Sequence, residues 1–269
     1  KATTLGGELL PSSTQIKVRS DGNDTTWMTL RGKLVGDASE SIKYFTQTPL
    51  QEQVAGAFDT WQVQGMVESD LYAQVPLSEG NNTKALNIRL SSQLRDVDVN
   101  MTDLKLSFDN LNGLIEFDSE LGLSAKALQG ETFSGLTTAN ISSTKENSGF
   151  DININASGKA KVAAIKEWLP LFLLKPITGD LSYNLDFKIQ PLERGGMVLN
   201  IASDLRGVNI AAPLPFNKNN EQALPFTMSV KKTRDLRIGF RYGELVNGVV
   251  ALANGDLKRG QIYLGTTQS

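Results

Sequence analysis

The sequence predicts a mainly β protein: an elongated, strongly twisted antiparallel sheet of repeated units, with one or two short helices. Two observations carry this prediction. Apolar and polar residues alternate along most of the chain, which is typical of strands that bury one face. In addition, one pattern of twelve residues occurs twice, and repeated units usually need a neighbour to complete a core.

The alternation is clearest over residues 181–189, where every second residue is apolar and those between are polar. One parity also links the apolar positions of residues 61–77, which is long for a single strand. Because Gly65 interrupts that run, we expect a bulge or bend there. Further alternating runs predict strands around residues 86–101, 104–108, 115–117, 226–230, 236–242, 250–252 and 262–264.

The two copies of the repeat are residues 88–99 and 199–210. Both read apolar-x-apolar-small-Ser-polar-Leu-Arg-x-Val-polar-apolar, without a gap. Each copy follows an alternating strand that begins at a glycine, Gly65 in the first and Gly179 in the second. We therefore expect the same local geometry to be built twice.

The apolar parity changes inside the first copy. Apolar residues are even-numbered up to Leu94 and odd-numbered from Val97 onward. The change predicts a bulge or a tight turn at Arg95 and Asp96. We expect the Ser and Arg positions of the repeat to lie on the polar side of the strand and its bend.

Short turn signals separate the predicted strands, and short turns imply antiparallel neighbours. They lie at residues 21–23, 80–82, 109–113, 195–196 and 254–255. Helix is scarce. The best candidate is residues 159–169, which stops at Pro170, and a short helical turn is expected within residues 40–57, around 51–53.

Composition excludes several functions. The 269 residues carry a net charge of −2, so the basic footprint of a nucleic-acid binder is missing. The chain has no Cys and no His, which removes disulfides, Ser-His-Asp catalysis and almost every zinc site. No signal peptide or membrane span is visible. Since the chain starts at Lys1, we interpret it as a fragment of a larger protein.

A few polar and aromatic residues are candidates for a sugar-binding site. Glu116, Asp118 and Glu120 share one strand parity, and Trp61 and Trp168 could stack on a sugar ring. The sequence favours a solvated face for the carboxylates and packing roles for the tryptophans. We find no catalytic constellation, so we expect no enzyme, no cofactor and no metal.

Several short motifs resemble those of the YhdP-type AsmA-like proteins of Gram-negative bacteria. The fullest is SDLRGV at residues 203–208, followed by APLPFNK and EQALPF, similar to the family pattern SDL-x-G, P-x-P-x-x-K and A-L-P. The family's other motifs are matched at residues 61–77, 111–128 and 168–179. Ala211-Ala212-Pro213 departs from the more typical Leu-Pro or Phe-Pro step.

The resemblance, which covers residues 53–255, implies a fold and a function. The family forms repeating β-grooves in long periplasmic proteins that are anchored in the inner membrane. It is implicated in phospholipid movement between the inner and outer membranes as a bridge, and so in outer-membrane biogenesis. The chain would be an interior fragment with repeat units at about 53–135 and 165–260, a partial unit at 1–52 and no clear domain boundary. Its partners would be phospholipids and, through other parts of the parent protein, both membranes.

The groove is expected to be lined by apolar side chains that share one face of their strands. They are Trp61, Val63, Val67, Leu71, Val75, Ile88, Leu90, Leu104, Leu106, Phe108, Leu181, Tyr183, Leu185, Phe187, Ile189, Ile201, Phe226, Met228, Ile238 and Phe240. Periodicity does not separate a groove that encloses lipid from apolar faces that pack together. The alternative is a structural β-sandwich or scaffold module of the cell envelope.

Overall fold

The computed structural model describes the chain apart from residues 1, 5–6, 21–25, 48–57, 78–86, 103, 148, 171, 192–194, 234, 254–255 and 266–269. The chain divides into two compact units. Unit 1 contains residues 1–104, 108–129 and 140–152, and unit 2 contains residues 105–107, 130–139 and 153–269.

The fold is mainly β and antiparallel, with short helices, which confirms the predicted fold class. The strands are β1 (Ala2–Thr4), β2 (Gly7–Leu9), β3 (Gln15–Ser20), β4 (Thr26–Asp37), β5 (Trp61–Pro76), β6 (Asn87–Met101), β7 (Leu106–Asp118), β8 (Gly122–Thr132), β9 (Gly135–Glu146), β10 (Gly149–Lys161), β11 (Ile177–Ile189), β12 (Met197–Ser203), β13 (Val208–Ile210), β14 (Phe226–Lys232), β15 (Leu236–Tyr242), β16 (Val246–Ala253) and β17 (Asp256–Leu264). The helices are α1 (Ala38–Ser41), α2 (Lys43–Thr46) and α3 (Val162–Trp168).

In unit 1, β4 and β5 are long neighbours at the centre of an antiparallel sheet. β5 pairs with β4 on one side and with β6 on the other. On its far side β4 pairs with β3 and, further along, with β2, which also pairs with β1. The core of the unit includes Leu34 and Val97, which are 2% and 1% exposed.

In unit 2, neighbouring strands of the antiparallel sheet follow each other in chain order, except that β12 pairs with β14 and not with β13. β11 pairs with both β12 and β13, because the chain bends between these two strands. The sheet continues from β12 to β14, β15, β16 and β17. Val208, at the start of β13, is only 1% exposed and lies in the core.

Tight connections join the strands β7 to β10. The turn between β7 and β8 is closed by Leu121, whose N–H donates to the Asp118 carbonyl at 3.2 Å. β8 passes to β9 through Phe133 and Ser134, with φ of 50° and 57°. Two successive left-handed residues are typical of a two-residue hairpin turn, although such turns usually contain Gly or Asn. β9 then pairs with β10.

The turn predicted at residues 109–113 is wrong, because these residues lie inside β7. Two of them nevertheless have left-handed backbone: Asn110 with φ of 53° and Gly113 with φ of 140°. Neighbouring polar groups hold the irregular strand. The Asn110 N–H donates to Asp98 Oδ1 at 2.9 Å, and Asn112 Nδ2 donates to Asp96 Oδ1 at 3.0 Å.

Two predicted element boundaries also shift. Leu104 lies in a turn, its N–H donating to the Met101 carbonyl at 3.1 Å, so β7 begins only at Leu106. The predicted helix 159–169 is shorter, since β10 runs to Lys161, whose backbone is extended. The helix ends before Pro170, as predicted. The helical turn expected around 51–53 and the turns at 21–23, 80–82 and 254–255 lie outside the described residues.

Candidate functional site

The apolar face of unit 2 is a set of rows that run across the strands. Residues paired between antiparallel strands point to the same side of the sheet. One row joins Leu185, Ile201, Met228 and Phe240. The next row joins Phe187, Leu199, Val230 and Ile238, continuing to Val250. We call this side of β11, β12 and β14–β17 the apolar face of unit 2.

Unit 1 has an equivalent apolar face on β3–β6. Val67 pairs with Leu94, and Leu71 pairs with Leu90. Two further rows extend the face toward β3. They are Ile88, Ala73, Leu30 and Ile16, and then Val75, Met28 and Val18.

Burial varies among the predicted lining residues. Seven are buried, and they are Val67, Leu90, Leu106, Tyr183, Leu185, Phe187 and Ile189. The other thirteen are half-buried, and none is fully exposed. The protein's own side chains therefore cover only part of this apolar surface.

In unit 2, exposure of the apolar face increases across the sheet. Leu185 of β11 is 4% exposed, Met228 and Phe240 of β14 and β15 are half-buried, and Ile262 of β17 is 57% exposed. Unit 1 shows the same trend toward β3, where Ile16 and Val18 are exposed. Exposed apolar residues that form a contiguous patch usually mark a binding surface, whereas scattered single ones do not.

A bulge changes the course of the unit 1 face at Gly65. Gln64 pairs with Asp98 and Met66 pairs with Arg95, so β6 carries one residue more than β5 at this point. The extra residue is Asp96, which has φ of 49°. The bulge predicted at Gly65 and the parity change predicted at Arg95 and Asp96 are therefore a single feature.

Only glycine fits at position 65. Its φ is 119°, and a Cβ there would lie 2.7 Å from the Asp96 carbonyl oxygen and 2.8 Å from Val97 Cα. After the bulge the odd-numbered residues Val97 and Val99 turn inward in place of Leu94 and its even-numbered neighbours. The bulge keeps one side of β6 apolar while the strand bends.

The second copy of the repeat builds the same arrangement in unit 2. Gly179, with φ of 107°, faces Gly207, with φ of 87°. A Cβ on Gly179 would lie 2.1 Å from the Gly207 carbonyl oxygen. The left-handed residue again precedes a buried valine, here Val208, as Asp96 precedes Val97. The repeat in the sequence is thus a repeat of this backbone bend.

A third instance, which the sequence did not reveal as a repeat, lies between β7 and β8. Gly113 faces Ala127, which has φ of 51°, and a Cβ on Gly113 would lie 2.7 Å from Leu128 Cδ2. Leu128 is 3% exposed. Alanine is not a residue type that predicts left-handed backbone, so only the glycine of this pair could be predicted from the sequence.

The expectation for the repeated Ser and Arg positions is half right. Arg95 and Arg206 are exposed on the polar side, where Arg95 pairs with Glu68 at 3.2 Å. Ser92 is instead buried on the apolar side, and its hydroxyl lies 2.8 Å from the Ser69 hydroxyl. A serine can enter the apolar face because a second hydroxyl opposite satisfies its hydrogen bond.

Tyr183 brings a second paired hydroxyl into the apolar face. Its phenolic oxygen lies 2.6 Å from Thr137 Oγ1, and both residues are buried. Burial raises the pKa of Tyr183, and the hydrogen bond between Tyr183 and Thr137 lowers it by less. The phenol therefore stays neutral at ordinary pH. Paired hydroxyls of this kind add no charge that would hold a passing ligand in place.

Lys218 anchors the loop of residues 211–225, which follows β13. The residue is 3% exposed, and its Nζ donates to the carbonyls of Val208 at 2.9 Å and Asn219 at 2.8 Å. Its backbone exchanges two hydrogen bonds with Ile210. Burial lowers the pKa of Lys218, and the negative charge of Asp204 opposes this shift. This is the lysine of the P-x-P-x-x-K motif, whose role could not be predicted from the sequence.

The same loop lies beside an apolar cluster at the end of the unit 2 face. Tyr242 donates its hydroxyl to the Phe216 carbonyl at 3.1 Å. The cluster consists of buried Val162, Leu205, Val208 and Ile210, with Ile177, Leu181, Ala212, Phe226 and Tyr242 packed against them. The loop and α3 thus give this end of the face a packed border.

The residues weighed for sugar binding do not come together. Asp118 Oδ2 forms an ion pair with Arg89 Nε at 3.1 Å. Arg89 lies twelve residues from Met101 on β6, and Met101 pairs with Trp61. At about 3.3 Å per residue, roughly 40 Å of strand separates the carboxylates from Trp61.

The tryptophans and carboxylates have local roles instead. Trp61 packs edge-on against Phe58, with ring centroids 4.9 Å apart, and Trp168 packs similarly on Phe133 at 5.4 Å. Glu116 is exposed, opposite the buried Phe117, as the parity predicted. The interpretation as a solvated face and packing anchors agrees with these contacts.

The rows of apolar side chains and the recurring bulge characterise the described part of the chain as an antiparallel β protein with an extended apolar sheet face. In comparisons with known proteins, the family model described as YhdP protein matches residues 3–269. The chain belongs to the YhdP family, AsmA-like envelope proteins of the lipid-transport type that are not known as enzymes. No curated protein and no solved structure gives a significant match. Among the described residues, no helix is long and apolar enough to cross a membrane.

Proposed function

We propose that the chain is a segment of a periplasm-spanning bridge that carries phospholipids between the inner and outer membranes. The apolar faces of the two units would cover the acyl chains. The observation that carries this proposal is the continuity of the apolar rows, combined with their incomplete coverage by the protein itself. Met228, Ile238 and Phe240 are half-buried in rows that begin at buried residues of β11.

The energetics favour such a surface. An acyl chain of about 14 methylenes costs roughly 11 kcal/mol when it is left in water, at about 0.8 kcal/mol per methylene. A carrier must cover most of the chain along the entire path. Rows of Leu, Val, Ile, Met and Phe provide this cover without directional contacts.

Movement also requires that no position binds too strongly. Along the two central rows of unit 2, every residue from β11 to β15 is apolar and uncharged. The hydroxyls that do enter the faces, such as Ser92 and Tyr183, are already paired with protein partners. A lipid would therefore meet similar surface at each strand, which favours sliding.

The polar parts of the system would lie elsewhere. Headgroups would stay in water outside the apolar face, and both membranes would be reached through other parts of the parent protein, which we place in the inner membrane. The segment itself would lie in the periplasm. We propose phospholipids as its partners, with no nucleic acid and no cofactor.

A structural module of the cell envelope is the second candidate. It is favoured by the seven lining residues that are buried, because these already act as core. On this view the half-buried residues would be ordinary sheet surface. The two candidates differ in what contacts Phe240 in the cell.

Site-specific photo-crosslinking separates the candidates. A photo-reactive phenylalanine derivative at Phe240, on the apolar face, should form adducts with phospholipid in cells. Arg241 is its matched control, since it is the next residue of the same strand and points to the other face. Lipid adducts at 240 and not at 241 would support the bridge. Absence of lipid adducts at Phe240, Met228 and Leu71 alike would contradict it.

A further inference from the structure

A small concavity on the polar face of unit 1 is lined only by side chains that donate hydrogen bonds. Its volume is about 200 Å³. The lining residues are Gln15, Lys17, Arg19, Thr29, Arg31 and Tyr72. Three of them are cations and none is a carboxylate, although the whole chain carries slightly more acidic than basic residues. The concavity is therefore a local excess of positive charge.

The strand register explains how these residues meet. Gln15, Arg31 and Tyr72 form one row across β3, β4 and β5. In the next row Lys17 pairs with Thr29. Lys17 and Arg31 are thus diagonal neighbours, about 7–8 Å apart at their Cα atoms. The two cations repel each other, and an anion lying between them would be attracted to both.

The cations of the concavity differ from those beside it. Lys33 pairs with Asp70 at 3.6 Å, and Arg89 pairs with Asp118 at 3.1 Å. Within the described part of the chain, Lys17, Arg19 and Arg31 form no ion pair with a carboxylate. Their charge is available to a ligand.

The Tyr72 ring positions the Arg31 guanidinium. The Arg31 Cζ atom lies 5.2 Å from the ring centroid, and Arg89 approaches the same ring at 5.7 Å. A guanidinium held over an aromatic ring keeps its N–H groups free to donate sideways. Arg31 is thus partly ordered before any ligand arrives, which lowers the entropic cost of binding.

We propose that this concavity binds a single phosphate group. Two guanidiniums, one ammonium, the Thr29 hydroxyl and the Gln15 amide match the acceptor oxygens of a tetrahedral oxyanion. The Tyr72 hydroxyl already donates to Gln74 Oε1 at 3.3 Å. The volume is below the roughly 300–1,000 Å³ of pockets for drug-sized ligands, so one phosphate fits better than a nucleotide. The phosphate could be free or belong to a lipid headgroup. The inference does not depend on the apolar faces carrying lipid.

Calorimetric titration of the 269-residue chain with inorganic phosphate tests the proposal. We expect saturable binding that weakens with added salt. Arg31→Gln and Lys17→Gln should each weaken it about tenfold, or about 1.4 kcal/mol. Lys33→Gln, which removes a neighbouring cation that already has a carboxylate partner, should leave it within about twofold. Because Lys17 is exposed, we expect Lys17→Gln to fold, so this variant tests the proposal even if Arg31→Gln unfolds.

Vesicle binding distinguishes the two sources of phosphate. Vesicles of phosphatidylcholine with phosphatidylglycerol are compared with phosphatidylcholine alone, for the same variants. If inorganic phosphate binds and the vesicles do not, the ligand is a free phosphate. If the anionic vesicles bind and the Arg31→Gln and Lys17→Gln variants weaken that binding, the ligand is a lipid headgroup. Equal losses in all three variants, or no saturable binding of either probe, would overturn the proposal. Phe240→Asp should leave phosphate binding unchanged, which separates this result from any failure of the lipid bridge.

Discussion

At the scale of residues, a glycine opposite a left-handed residue sets the bend of the apolar face. Gly65, Gly113 and Gly179 each occupy this position, and each faces a left-handed residue that precedes a buried apolar side chain. The bend shifts the inward parity by one residue. An extended apolar face on a twisted sheet needs such corrections, because strict alternation cannot follow every change of strand direction.

Gly179→Ala tests the bend. The variant should lose at least about 2 kcal/mol of unfolding free energy, since a side chain is strained at φ of 107° and its Cβ would meet the Gly207 carbonyl at 2.1 Å. Gly239→Ala is the control, because its φ is not left-handed and its nearest neighbour would be 3.9 Å away. Urea unfolding measures both. A Gly179→Ala variant as stable as Gly239→Ala would contradict this account.

Tyr183 should make stability depend on alkaline pH. Burial raises its folded pKa above the unfolded value of 10.0, so the folded state holds the phenolic proton more tightly. The stabilisation is present below pH 10 and is lost as the pH rises through the folded pKa. Tyr183→Phe should therefore show a shallower fall of the unfolding free energy above pH 10 than the unaltered chain. Identical slopes would contradict the burial of an ionisable phenol here.

The Thr137 hydroxyl provides a control at neutral pH. Tyr183→Phe alone leaves that buried hydroxyl without its partner and should cost about 1–2 kcal/mol. The double variant with Thr137→Val should cost less than the sum of the two single changes.

Some of these residues could be predicted from the sequence and others could not. Gly65 was identified because it interrupts an alternating run, and the parity change located Asp96 across from it. Ser92 was placed on the wrong side, because a hydroxyl looks solvent-facing until its partner Ser69 on the next strand is known. Ala127 has no property in the sequence that marks a left-handed residue.

At the scale of elements, neighbouring strands of unit 2 differ in how much of their apolar side is covered. Leu185 of β11 is buried, whereas Phe240 of β15 is half-buried in the same row. We expect Leu185→Asp to unfold the chain, because an unpaired carboxylate there would be fully desolvated. Phe240→Asp should cost only about 1–2 kcal/mol and keep the fold. Circular dichroism on heating compares them. Equal destabilisation would mean that both positions are core.

The loop of residues 211–225 depends on one buried lysine. Lys218→Met keeps the apolar stem but leaves the carbonyls of Val208 and Asn219 without their donor. We expect a loss of about 1–3 kcal/mol and faster amide exchange in the loop. Lys231→Met, an exposed lysine on the polar face of β14, is the control. Unchanged exchange in the loop would contradict the anchoring role.

Strands were more predictable than turns. Alternation located β5, β6, β11 and β14–β17 because each has apolar residues at every second position along part of its length. The segment 109–113 looked like a turn because Asp, Asn and Gly cluster there, yet these residues serve a bulged strand. The short turns predicted antiparallel neighbours, but the residue-by-residue register that decides which side chains share a row could not be predicted.

At the scale of the whole molecule, the proposed function belongs to a surface and to no single residue. Family membership gives the class, a lipid-transport-type envelope protein. The rows of half-buried apolar side chains support the finer proposal of acyl-chain cover. The charged concavity on the polar face of unit 1 would add a second, separate binding property.

The most direct test is the phospholipid content of the purified chain. Mass spectrometry after gentle purification should find phospholipid bound to the unaltered chain, and much less on Phe240→Asp, provided that variant keeps its fold. Arg241→Gln, on the opposite face of the same strand, should retain the lipid. An unaltered chain without phospholipid, or a folded Phe240→Asp variant that carries as much as the unaltered chain, would contradict the proposal that the apolar face covers acyl chains.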